Sequence, residues 1–194
     1  MMNIREYLSD SNDQMNYGVA FPEDYQDLPL LIYLHGAGER GSDNRVTLNS
    51  CIPYIAEAMP KAIILVPQCD LNSRWGDTDW GWGSYSVDEV PESAPMKTVM
   101  ELVGELKTQY SIDKNCVYAI GHSMGGYAVW DAMIRHNDVF AAGVAICGAG
   151  DPSKAEVLKD TPMFVFHGNW DETVPVSGSQ EMVQAIKDAG GTLV

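Results

Sequence analysis

A short apolar run followed by a helical pattern recurs along this chain, and that alternation limits the fold more than any other feature. Residues 28–34, 62–66, 116–120, 142–146 and 163–166 are apolar at nearly every position, as expected of parallel strands covered on both faces. Helical patterns follow near 46–58, 94–110, 124–136 and 177–188. Ser93 suits the cap of the second, Pro95 fits its first turn, and Val99, Leu102, Val103, Leu106 and Tyr110 share one face. Gly190-Gly191 reads as the stop of the last. The pattern predicts an α/β fold, a doubly wound, mostly parallel sheet with helices on both faces and right-handed crossovers. Residues 16–21 read as an antiparallel edge strand. With no repeat and no low-complexity linker, 1–194 is expected to form a single domain, long enough to bury a core without disulfides or metals.

Charge narrows the partners. The chain has 27 acidic and 12 basic residues, a formal charge of −15, which argues against nucleic acid or an anionic membrane as partner. No apolar run approaches ~18 residues, and the first residues lack the layout of a signal peptide, so the expected address is cytoplasmic. Cys51, Cys69, Cys116 and Cys147 are widely spaced. The last two lie in apolar runs and read as small buried hydrophobes; a Cys51–Cys69 disulfide stays open.

In doubly wound sheets, ligands bind beyond the carboxyl ends of the strands. After the run ending at Ile120 stands Gly121-His122-Ser123-Met124-Gly125-Gly126, a G-x-S-x-G sequence between a strand and a helix, the context this motif requires. An ordinary glycine-rich turn would share the glycines, but the context favours Ser123 as a nucleophile exposed at a helix N-terminus. After the run ending at Leu34 stands His35-Gly36-Ala37-Gly38-Glu39-Arg40-Gly41. A His-Gly pair here is an oxyanion-hole signature, with the backbone N–H groups of Ala37 and Met124 as donors; no phosphate-loop pattern completes the rival reading. After the run ending at Phe166 stands His167-Gly168-Asn169-Trp170-Asp171-Glu172, where Asp171 is the expected triad acid and Glu172 its nearest competitor.

Taken with Pro67-Gln68-Cys69 and Ile146-Cys147-Gly148-Ala149-Gly150-Asp151-Pro152, these stretches resemble the α/β-hydrolases, in particular the small serine esterases of the dienelactone-hydrolase-like and phospholipase/carboxylesterase-like groups, with feruloyl esterases among their relatives. The resemblance implies hydrolysis of carboxylic esters with no metal or organic cofactor, on a small-molecule ester of the kind linked to plant polysaccharides. It departs from dienelactone hydrolases in carrying Ser123 where those use cysteine.

One part is missing. The resemblance implies a catalytic histidine after the last strand, yet no residue after Asp171 is histidine. His35, His122, His136 and His167 all precede it, and His167 is the best of four poor candidates. Three readings stay open: a C-terminally shortened esterase lacking its final strand and helix, a pseudo-hydrolase that binds ligands, or a base from His167 or a second chain. The first takes residues 190–194 as the start of a strand and expects a homodimer through the incomplete sheet edge. Finally, the stretch 69–85 is long and aromatic. Trp75, Trp80 and Trp82, with Trp170, are expected to meet substrate or, in the non-catalytic reading, to bind carbohydrate or ester; an equal alternative is a hydrophobic cluster that anchors the loop.

Overall fold

The computed structural model describes residues 3–8, 14–22 and 27–193. Seven strands form one sheet: β1 (Asn3–Leu8), β2 (Gln14–Ala20), β3 (Leu28–Leu34), β4 (Ile63–Gln68), β5 (Ile112–His122), β6 (Ala142–Ile146) and β7 (Met163–Phe166), in the order β1-β2-β4-β3-β5-β6-β7. From β4 through β7 every pairing is parallel, while β1–β2 and β2–β4 are antiparallel. The helices are α1 (Arg45–Asn49), α2 (Ile52–Ala58), α3 (Ala94–Gln109), α4 (Met124–Arg135) and α5 (Val176–Asp188). This is the α/β architecture that the alternation predicts.

Several expectations are corrected. The segment near 16–21 is a strand, but β2 lies inside the sheet, between β4 and β1, and β1 takes the edge. The single helix expected near 46–58 is two, because Ser50 (φ −81°, ψ −109°) leaves the helical path and a new helix begins at Ile52 with Pro53 in its first turn. Residues 190–192 form no strand; Gly190 (φ +84°) closes α5 instead, with the Gly191 N–H donating to Ile186 O at 2.9 Å. Val194 lies outside the described residues. All four cysteines are free, and Cys116 and Cys147 are half-buried rather than core. At α3 the cap is as predicted: Ser93 Oγ accepts the Met96 N–H at 3.2 Å.

The sheet has two unlike faces. On one, Leu30, Ile32, Leu34, Ile63 and Leu65 pack under α3, α4 and α5, with Leu102, Leu106, Trp130 and Met182 fully buried. On the other, Tyr33, Ile64 and Val66 pack under α1 and α2. Farther along that second face, Ile120, Val144 and Phe164 stand in one row and His122, Ile146 and Phe166 in the next, by strand register. Phe166 is 56% exposed, and a hollow of about 420 Å³ lies between Met59, Tyr118, Ala142 and Phe164. No helix among the described residues is long and apolar enough to cross a membrane.

Candidate active site

Ser123 sits between the end of β5 and the start of α4 with φ 55° and ψ −120°, a backbone that non-glycine residues avoid. Neighbouring strands hold it there. Its N–H donates to Ile146 O at 2.8 Å, and its carbonyl accepts from Gly126 and Tyr127 at the start of α4. The turn is close enough to β3 that a Cβ on Gly125 would lie 1.8 Å from Leu34 O, and one on Gly121 would lie 2.3 Å from Gly125 O. The glycines flanking Ser123 are therefore a steric requirement of the turn.

The loop after β3 is held as firmly, by buried polar groups. His35 Nδ1 donates to Gly36 O at 2.7 Å, and its Nε2 accepts the Cys69 N–H at 3.0 Å. That pairing fixes the neutral ring with its proton on Nδ1, and burial lowers the His35 pKa, against opposing pulls from the Gly36 carbonyl and the Glu39 charge. The Gly36 carbonyl also accepts the Glu39 N–H at 3.1 Å. A trans peptide points its N–H opposite its C=O, so these two bonds aim the Ala37 N–H away from the loop interior. Glu39 O accepts from Gln68 Nε2 at 2.9 Å and from Thr47 Oγ1, and Gln68 Oε1 accepts the Asn44 N–H at 2.7 Å. Asn44 and Thr47 have no role in the sequence reading, and Gln68 enters it only within Pro67-Gln68-Cys69; the available signal was a polar side chain two residues after the apolar run 62–66.

Ser123 and Ala37 line one cavity of about 680 Å³, together with Gly36, Gly38, Glu39 and His122. Met124 follows Ser123 directly. Ala37 opens a 3-10 turn and Met124 opens α4, so neither N–H has an acceptor within its own helix. Asp171 stands on the turn after β7. Its Oδ1 accepts the Thr173 and Val174 N–H groups at 2.9 Å each; these bonds hold its carboxyl below the usual carboxylate value, with His167 adding to the effect. Cys147, directly after β6, has φ 41°. Burial raises its thiol pKa and Asp171 raises it further, against a bond with the Ser123 backbone.

None of the four histidines bonds to the Ser123 hydroxyl among the described residues. His35 is engaged as above. His122 Nδ1 faces the Tyr33 hydroxyl at 3.2 Å, and His136 Nε2 faces Glu92 at 2.6 Å. His167 faces Ser179 Oγ at 2.7 Å and Val174 O at 3.0 Å, with Asp171 Oδ2 at 3.6 Å from its Nε2.

The tryptophans divide. The expectation that Trp75 meets substrate is corrected: it is 0% exposed, and its N–H donates to His35 O at 3.0 Å, so it braces the loop after β3 from below. Trp80 is half-buried under the Arg74 guanidinium, 4.7 Å from the ring centroid. Trp82 and Trp170 are 84% and 94% exposed. Tyr127 joins their loops: its hydroxyl donates to Trp80 O at 2.9 Å, and its ring packs with Val174.

Comparison with known proteins agrees with this fold. Residues 18–193 match the family model described as phospholipase/carboxylesterase. A solved thermostable esterase is 31% identical, with a TM-score of 0.84 over 99% of this chain and 53% of its own. A ferulic acid esterase (18% identical, TM-score 0.72) aligns over 100% of this chain and 88% of its own, a likeness of fold. The bifunctional acetylxylan esterase/xylanase XynS20E of Neocallimastix patriciarum is 23% identical over 75% of this chain. The chain spans 20% of that protein and about half of the thermostable esterase. The match over 18–193 places this chain in the phospholipase/carboxylesterase family of α/β-hydrolases.

Proposed function

We propose that this chain is the catalytic body of a serine carboxylesterase acting on a small carboxylic ester, of the kind esterified to plant polysaccharide. Ser123 Oγ attacks the carbonyl carbon. The carbonyl oxygen takes the negative charge and is held by the Ala37 and Met124 N–H groups. A base accepts the Ser123 proton and returns it to the leaving alcohol as the C–O bond breaks; water then cleaves the acyl-serine by the same route. Asp171 orients that base, and the four histidines present are engaged by other partners among the described residues, so the base is a group other than these four. The exposed indoles of Trp82 and Trp170, with Trp80, offer flat apolar faces to the substrate.

The observation that carries this reading is the strained Ser123 backbone, held by β6 at the mouth of the cavity that Ala37 lines. Ser123→Ala tests it: p-nitrophenyl acetate hydrolysis should fall to the level of the buffer, and unchanged hydrolysis would refute it. Free imidazole, a mobile base, should raise the rate of the unaltered chain well above that of Ser123→Ala at the same imidazole concentration. The committed histidines together with the exposed indoles also favour a second reading, a non-catalytic module that binds carbohydrate or ester. Calorimetric binding of xylo-oligosaccharides, with no imidazole-dependent hydrolysis, would select it.

A further inference from the structure

Glu39 places a carboxylate beside a hole built for negative charge. It is only 8% exposed and lines the cavity that Ser123 opens into. Its Oε2 accepts the Gly36 N–H at 3.0 Å and lies 3.5 Å from His122 Nε2. Its Oε1 is buried with no hydrogen-bond partner among the described residues. On the far side of the ring, His122 Nδ1 meets the Tyr33 hydroxyl at 3.2 Å. Contact is so tight that a Cβ on Gly36 would lie 2.6 Å from His122 Nε2.

These groups bridge two separate pieces of chain. Glu39 and Gly36 belong to the loop that presents Ala37, while His122 is the last residue of β5, directly before Ser123 and Met124. An oxyanion hole works only if its donors keep their spacing, and here the donors come from both pieces. We infer that Glu39 and His122 are positioning residues that fasten the two halves of the oxyanion hole to each other. Glu39 holds the Gly36 amide. His122 Nε2 stands 3.5 Å from the Glu39 carboxylate, which therefore lies against the ring. Tyr33 holds the ring at the angle this requires. The inference rests on the hydrolase reading above for its kinetic consequence, but its structural part does not.

The test pairs kinetics with amide hydrogen exchange in the full chain. Glu39→Ala should lower kcat for p-nitrophenyl acetate about 10- to 100-fold, as expected for a misplaced oxyanion donor, with KM changed by less than about twofold. It should also expose the Gly36 amide to exchange. Glu39→Gln keeps an acceptor for that amide and should restore its protection and most of the rate. His122→Leu should lower kcat as Glu39→Ala does, and His122→Gln, which returns an N–H toward Glu39, should recover much of it. The inference is overturned if Glu39→Ala keeps both kcat and Gly36 protection, or if neither glutamine variant recovers anything. Should Ser123→Ala prove as active as the unaltered chain, the hydrolase reading fails, and exchange at Gly36 still decides whether the bracket exists.

Discussion

Gly125 shows how narrowly the turn at Ser123 is specified. A methyl group there would lie 1.8 Å from Leu34 O and 2.5 Å from Leu34 C, and both are backbone atoms of the central strand β3, which cannot retreat. Gly125→Ala should therefore cost about 3 kcal/mol or more, read by urea denaturation, where a change at helix position two elsewhere would be mild. His35 carries a pH signature. Its Nε2 must stay unprotonated to accept the Cys69 N–H, and burial lowers its pKa in the fold. Below about 6.5, the ordinary histidine value, the unfolded chain takes up a proton that the fold refuses, so the stability present above that pH is lost as pH falls through the lowered folded value. Denaturation at pH 7.5 and 5.5 should show the loss, and His35→Gln should reduce it. At this scale Ser123 and the loop at Ala37 were legible, because their motifs are local. Trp75 was not: an indole among glycines looks the same in sequence whether it faces substrate or, as here, lies beneath the loop that holds Ala37.

Among the elements, strands β3 to β7 were legible as apolar runs, though β5 begins earlier than its run, at Ile112, and β5 to β7 are buried on one face only. The position of β2 was not, since nothing in 14–20 announces that β1 will pair outside it. The break between α1 and α2 was signalled by Pro53, whose missing N–H prevents one continuous helix. One contact between elements titrates in the sense opposite to His35. His136, at the C-terminal end of α4, meets Glu92 at 2.6 Å; the Glu92 hydrogen bond raises its pKa, against burial, with the nearby acidic charges adding to it, and a helix C-terminus favours a cation as well. Its contribution is full below about 6.5 and is lost as pH rises through the raised folded value. The stability difference between the unaltered chain and His136→Gln should shrink as pH climbs from 6 to 9, a trend that thermal melts can follow.

For the whole molecule, the uneven covering of the sheet matters most. Parallel strands are normally sheltered on both faces, yet Phe164 and Phe166 of β7 stand exposed beside an apolar hollow. Self-association through this face is the proposal that follows, a second copy covering what no helix among the described residues covers. Sedimentation velocity should show dimers whose fraction rises with concentration, and Phe166→Lys should shift the population toward monomer; a monodisperse monomer at high concentration would overturn it. This exposure was legible only as an expectation about a sheet edge, because periodicity identifies a strand as buried without identifying what buries it.

The backbone of Ser123 has a consequence for how the protein is made. The serine is held by Ile146 O, and the residue after Ile146 is held in turn by Phe166 O, which accepts the Cys147 N–H at 2.7 Å. Both supports are synthesised after Ser123 itself. A nascent chain whose last emerged residue is Arg135 already has all of Gly121-His122-Ser123-Met124-Gly125 but lacks the strands that bend it. The strained backbone of Ser123 should therefore form only when β6 and β7 join the sheet, and under the hydrolase proposal the growing chain would carry an unstrained serine until then.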